Sequence, residues 1–174
     1  ETQGASFDCF QCSEGNIAVG FSGIRGYTAV PNSPGDIYTS GFSFNIPVQD
    51  LVDAFEPGDR RKDLSILDIE AWAQQTGITF DKGFGHTGFF NKKYLPRKRG
   101  ADAQNDRNLT NPNNYRAIRF ADVLLMAAEA HNRKPGADDT KAQGYLNRVR
   151  ERAFGNATNN IFSTGPALTE DIYR

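Results

Sequence analysis

Asn114–Arg133, NYRAIRFADVLLMAAEAHNR, followed across a Pro135–Gly136 break by Lys141–Ala153, KAQGYLNRVRERA, decides the fold. In the first segment Ile118, Ala121, Leu125 and Ala128 recur at helical spacing, widened by Leu124. In the second, Ala142, Tyr145, Leu146, Val149 and Ala153 repeat the same period. An apolar arc of that width is buried against another helix. Small side chains at Ala127, Ala128 and Ala130 let two backbones approach closely. Asn113 or Asn114 suits the cap of the first helix and Asp139 or Thr140 that of the second, while Pro135 and Gly136 force the turn between them. The expectation is a packed, antiparallel helix pair.

Outward from this pair the pattern weakens. Pro47–Phe55 places Val48, Leu51, Val52 and Phe55 at i, i+3, i+4 and i+7, with Pro47 suited to a first turn, and predicts a short helix. Ile66–Gln75 is a further helix candidate ending near Gly77, Gly83–Lys93 reads as extended, and Arg97–Pro112 is polar and turn-rich. Before about Asn45, glycine, serine, proline and aromatics interleave without helical period, which predicts loops with a few short strands. Leu168–Arg174 reads as the start of a helix capped by Thr169, with acids in the first turn where the helix dipole favours them.

A chain of 174 residues, 38% hydrophobic with 17 glycines, can bury one sizeable core and carry much loop. One domain over residues 1–174 is expected, loop-rich over 1–45 and helical over 46–174. Lysine and arginine total 20 against 21 acids, net charge −1, so no global field argues for nucleic acid or an anionic membrane. No apolar run approaches the ~20 residues needed to span a bilayer, and neither a signal peptide nor a lipid-attachment cysteine is visible.

The candidate motifs for chemistry are thin. Gly83, Gly85 and Gly88 in GFGHTG match a dinucleotide-binding spacing, but FFNKKYLP follows, an extended stretch where phosphate binding needs a helix N-terminus. Cys9 and Cys12 form a lone C-x-x-C, and with only His86 and His131 besides, the ligands for a structural zinc are not assembled; the cysteines read as free or mutually bonded. No G-x-S-x-G elbow is present and Cys9 lacks a nearby base, so acyl chemistry has no visible apparatus. A pair of carboxylates for glycoside hydrolysis is not excluded by counting among 21 acids. Lys92, Lys93, Arg97, Lys98 and Arg99 form a basic run that reads either as an anion grip for a uronic or sulfated sugar or as a solvated loop paired with acids elsewhere. Glu129 and Arg133 stand at i, i+4 as helix-surface support.

The wording of the helix pair resembles the SusD/RagB family of surface glycan-binding lipoproteins from Bacteroidetes, whose members carry a similar N-Y-x-x-I-R-[FY]-A-[DE]-V-L-L-x-x-A-E-A helix. Ala142, Leu146, Asn147, Val149, Arg150, Arg152 and Ala153 follow the family's next helix. Gln49–Arg61, QDLVDAFEPGDRR, looks like its Q-D-L-V-D-A-F-E-x-G-D-x-R segment, whose FEPGDRR end reads as a turn and ion-pair junction with Asp59 and the arginines tying the loop to the helices, and Asn91–Leu95 looks like its N-x-K-Y stretch. The resemblance implies a mainly α fold, with a tetratricopeptide-like α-α pair, long irregular loops and a few short strands, and a fragment from the C-terminal side of a longer protein. It also implies a non-catalytic protein with no cofactor and no metal. Such a protein lies on the extracellular face of the outer membrane, held by an N-terminal lipid anchor absent from this chain. It binds an oligosaccharide or polysaccharide nutrient and delivers it to a SusC-like TonB-dependent transporter. Sugars present apolar C–H faces that stack on aromatic rings, with polar side chains serving the hydroxyls. On that basis Tyr27 and Tyr38 are the expected platforms and Arg25 their polar partner, against the alternative that these aromatics pack the loops onto helices. The rival functions are a helical-repeat protein scaffold and a glycan-degrading enzyme.

Overall fold

The computed structural model describes residues 17–83, 85–98 and 116–174. It is mainly helical with one small sheet: α1 (Ile17–Ser22), α2 (Gln49–Asp53), α3 (Arg61–Ser65), β1 (Ile66–Asp68), α4 (Ile69–Thr76), β2 (Phe89–Asn91), α5 (Phe120–Arg133), α6 (Asp139–Phe154) and α7 (Gly165–Tyr173), with a 3-10 turn at Lys92–Tyr94. These elements fall into two compact units. One holds the described residues of Glu1–Glu56 and Arg61–Tyr115; the other holds Pro57–Arg60 and Arg116–Arg174.

The helical unit is built on α5 and α6, the pair legible in the sequence. Ala128, Ala142, Leu146, Leu168 and Ile172 form its buried core, with Leu125, Tyr145 and Ile161 packed against it. Ala128 and Ala142 have no exposed surface, as a close approach of two helices requires. Helix α5 starts at Phe120, later than the apolar stripe suggests, and leaves Ile118 exposed. The Asp122 carboxylate accepts the Arg119 backbone N–H at 2.8 Å and its guanidinium at 2.6 Å, so the cap comes from inside the first turn. Asn113 and Asn114 lie outside the described residues.

Asp138 caps α6 by accepting the Lys141 N–H at 3.1 Å. Asp139 instead reaches sideways, accepting Asn132 Nδ2 at 2.8 Å and the Gly165 N–H at 2.7 Å, and so ties the end of α5 and the start of α7 to α6. Helix α7 therefore begins at Gly165, with Pro166 in its first turn. The expected cap Thr169 is inside the helix, where its hydroxyl donates to Asn132 Oδ1 at 2.5 Å. At the far end of α6, Gly155 adopts a left-handed cap with φ 77°, and a Cβ there would strike the Arg60 guanidinium. A cation is favoured at that helix end, and the Arg60 N–H also donates to Ala153 O at 3.0 Å. The Pro57–Arg60 turn is thus clipped to α6.

Among the described residues no strand partners the α6–α7 connector; α6 side chains do. Gln143 donates to Ser163 O at 2.8 Å, Asn147 donates to Ile161 O at 2.9 Å and accepts the Ile161 N–H at 2.7 Å, and Arg150 Nε donates to Asn159 O at 2.6 Å. Positions 143, 147 and 150 share one helix face, so one row of polar residues satisfies a backbone that would otherwise be orphaned.

In the other unit, β1 pairs antiparallel with β2 in the register Ile66↔Asn91, Leu67↔Phe90, Asp68↔Phe89. The expected helix over Ile66–Gln75 thus splits. Ile66 and Leu67 pair as strand, burying Leu67 beside a fully buried Phe90, and Asp68 then caps α4 by accepting the Ala71 N–H at 3.0 Å. Gly77, φ 71°, ends α4 where the sequence placed the stop. Pro47 lies ahead of α2, which begins at Gln49 behind Val48 as its cap. The core here gathers Ile24, Tyr27, Tyr38, Leu67, Ile69, Ile78, Phe90 and Leu95, with Trp72 and Phe80 among the partly buried side chains around it.

Candidate functional site

The structure corrects the two tyrosine platforms. Tyr27 and Tyr38 are only 7% and 6% exposed and meet edge to face at 6.0 Å between centroids. Tyr38 also faces Trp72 at 6.4 Å. The Tyr27 hydroxyl donates to Gly35 O and accepts Trp72 Nε1–H at 3.1 Å. Burial pushes both phenols above their ordinary pKa, so they act as neutral core groups. With their faces taken by the core, neither ring is open to a sugar. The alternative weighed from the sequence, that these aromatics pack the loops, is what the geometry supports.

Arg25 is exposed, and it sits where the loops fold back on α1. Its Nη2 donates to Phe42 O at 3.1 Å and its backbone N–H donates to Ser43 Oγ at 2.9 Å. Around it Gly41 N donates to Ile24 O (2.8 Å), Phe42 N to Gly20 O (3.2 Å), Ser43 N to Gly23 O (2.7 Å) and Phe44 N to Phe21 O (2.8 Å). This approach needs glycine, since a Cβ on Gly23 would lie 2.9 Å from the Gly41 Cα and 2.7 Å from Pro96 Cγ. Ser43 and Asn45 are held at φ 58° and 54°, a left-handed conformation that costs a side-chain-bearing residue about 1 kcal/mol or more.

The loop so held displays Phe42 and Phe44, and α1 adds Phe21. The three are 38%, 55% and 39% exposed respectively. Phe21 lies 5.5 Å from Phe42 and 5.8 Å from Phe44 between centroids, with ring planes tilted by 40° and 49°. The tyrosine reading missed this cluster. Its available signal was G-F-S-F-N over Gly41–Asn45: phenylalanines alternating with the turn-forming residues glycine, serine and asparagine. Chemically the cluster offers contiguous apolar faces next to a guanidinium.

The remaining motifs resolve as structure. Gly83, Gly85 and Gly88 take φ of 62°, 76° and 88° and lead into β2, not a helix, so the nucleotide geometry fails. In the basic run Lys98 pairs with Asp36 at 2.5 Å, and Lys92 Nζ donates to Asp63 O at 2.8 Å. Arg97 bridges Tyr38 through the backbone, and Arg99 is outside the described residues. Lys98 and the Asn32 N–H hold the Asp36 carboxyl below its ordinary pKa. His131 stacks on Tyr145 at 5.6 Å, and His86 lies between Phe80 and Phe90 with Nε2 3.7 Å from Glu70. Among the described residues no group of three or more His, Cys, Asp or Glu side chains could hold a metal, and no helix is long and apolar enough to cross a membrane. Cys9 and Cys12 lie outside the described residues.

The model of the SusD family matches residues 68–165. The SusD-like protein P25 of Formosa agariphila is 30% identical over 119 residues, 68% of this chain and 19% of that protein. A laminarin binding SusD-like protein of known structure superposes with a TM-score of 0.70 at 30% identity, covering 90% of this chain and 32% of its own. The surface glycan-binding protein A from Bacteroides thetaiotaomicron, in complex with laminarihexaose, superposes at 0.69 and 24% identity, over 89% of this chain and 33% of its own, and so shares the fold. The chain spans about a fifth of P25's length, at 19%, and about a third of these structural relatives, at 32% and 33%.

Proposed function

The chain belongs to the SusD family, and from that premise we propose that it contributes to capture of a neutral oligosaccharide or polysaccharide, bound without chemical change. The observation that carries this reading is the likeness to the laminarin binding SusD-like protein, 30% identity and a TM-score of 0.70 over 90% of the chain. The physical chemistry agrees with it. Binding a sugar needs ring faces for its C–H groups and a few donors and acceptors for its hydroxyls, and the loop-rich unit offers both around Arg25. In the basic run the Lys98–Asp36 pair and the Lys92 contact favour a neutral ligand over a uronic or sulfated one. Delivery to a SusC-like TonB-dependent transporter, at the extracellular face of the outer membrane and under a lipid anchor, is the role that family membership supports.

Affinity electrophoresis of the chain through gels containing laminarin or other neutral glycans tests this reading. Retardation in at least one gel, with no reducing ends released over time, is expected; free migration in all of them, or steady release of reducing ends, overturns it. One observation favours a second reading, a protein-binding scaffold: Phe120, Val123 and Met126 are exposed along α5, just after an exposed Ile118. A chain that binds a transporter but no glycan would select it.

A further inference from the structure

Resting on the glycan-capture reading, we propose that Phe21, Phe42 and Phe44, with Arg25 beside them, form a stacking platform that grips consecutive internal sugars of a neutral glycan chain. Among the described residues these are the exposed aromatic side chains in ring contact with one another. Phe120, Phe162 and Tyr173 are also exposed but belong to the helical unit. A contiguous exposed apolar patch on a polar chain marks a binding surface more often than a packing accident.

The loop beneath the rings is costly to build and rigid once built. Four backbone hydrogen bonds join 20–24 to 41–44, Gly23 and Gly41 meet without room for a side chain, and Ser43 and Asn45 sit in left-handed conformations. Strain of this kind persists where the surroundings over-determine it, and its coincidence with the exposed rings points to pre-organisation for a ligand. A platform already ordered loses little entropy when the ligand arrives.

The ligand's class follows from the same geometry. Phenylalanine has no polar handle, so recognition by these rings is by C–H stacking, which suits the apolar faces of pyranoses. Arg25 spends one N–H on Phe42 O and, with five donors in its fork, retains others for hydroxyl groups. The rings are 38–55% exposed, so a chain runs across them. End recognition needs an enclosure that satisfies the additional terminal hydroxyl groups, whereas a strip of open faces gains affinity with each further sugar until it is covered.

Calorimetric titration of the 174-residue chain with laminaribiose, laminarihexaose and borohydride-reduced laminarihexaose provides the test, with a panel of other neutral glycans alongside. The hexaose is expected to bind at least about tenfold more tightly than the biose, and end reduction to change affinity less than about twofold. Loss of a stacking ring is worth roughly tenfold, so Phe44→Ala weakens binding about tenfold and the Phe42→Ala/Phe44→Ala pair further, while Phe44→Trp stays within about threefold of the parent. Thermal melts establish that each variant is folded, and Phe44, the most exposed ring, gives a variant that leaves the backbone ladder in place. If folded Phe44→Ala and the double variant bind as the parent does, the platform is wrong and the capture reading stands. A marked loss on end reduction overturns the internal-sugar claim, and a parent chain that binds none of the neutral glycans overturns the capture reading itself.

Discussion

Replacing Asn147 by leucine tests whether the α6–α7 connector is held by the side chains of α6. Asn147 is 8% exposed and makes a reciprocal pair with Ile161, donating to its carbonyl at 2.9 Å and accepting its N–H at 2.7 Å. Leucine keeps the branched outline with somewhat more bulk and removes both bonds. Each is worth about 1 kcal/mol net, and leaving a buried partner unsatisfied costs a further ~1–3 kcal/mol. Ile161 is only partly buried, so water can reach its peptide groups and the second charge is reduced. Added apolar contact from leucine offsets at most about 1 kcal/mol. The net expectation for Asn147→Leu is about 2–3 kcal/mol of destabilisation. Urea unfolding followed by far-ultraviolet circular dichroism measures it, and amide hydrogen exchange at Ile161 localises it. A shift under about 0.5 kcal/mol with Ile161 still protected would refute the idea that this residue pins the connector.

Three other outcomes are expected. Gly144 lies inside α6 with open space where a Cβ would go, so Gly144→Ala is expected to stabilise the chain by about 0.5–1 kcal/mol in the same urea experiment. Tyr27→Phe removes a hydroxyl bonded to Gly35 and Trp72; it is expected to cost about 1–3 kcal/mol, perturb Trp72 fluorescence and leave glycan affinity unchanged, whereas weakened binding by a stable variant would return Tyr27 to the site. Asp36 has its folded pKa lowered by the Lys98 hydrogen bond first and the Asn32 N–H second, so the stability it lends is complete above the ordinary carboxylate range and fades as pH falls through the depressed value. The gap in melting temperature between the parent and Asp36→Asn is therefore expected to narrow as pH is lowered from about 7 to about 3, and a constant gap would contradict the pairing.

The α5–α6 pair was legible because two segments repeat apolar residues at helical period over several turns, a signal that tertiary context seldom overrides. Gly77 was legible as a stop for a local reason, the left-handed cap that glycine takes at no steric cost. Signals shorter than a turn were not. Ile66–Asp68 is a strand only because Phe89–Asn91 pairs with it, and three residues carry no period. The start of α7 was misplaced because Thr169 resembles a cap, while the actual constraint is Asp139 on a different helix holding the Gly165 N–H.

At the candidate site the same division holds. A tyrosine amid glycine, serine and proline looks solvent-facing, and nothing local discloses that Trp72, 45 residues away, donates to the Tyr27 hydroxyl. Arg25 was expected beside Tyr27 and Tyr38; in the structure its guanidinium donates to Phe42 O instead. The exposed rings themselves are phenylalanines, which composition alone assigns to the interior. They are exposed because the Gly20–Ile24 and Gly41–Phe44 backbones are locked together.

Nuclear magnetic resonance titration of the isotope-labelled chain with laminarin, read residue by residue, is the most direct measurement of the central claim. Saturable shifts centred on residues 20–25 and 41–45 are expected, with α5 to α7 largely still. Shifts confined to the helical unit, or none with any neutral glycan, would contradict it.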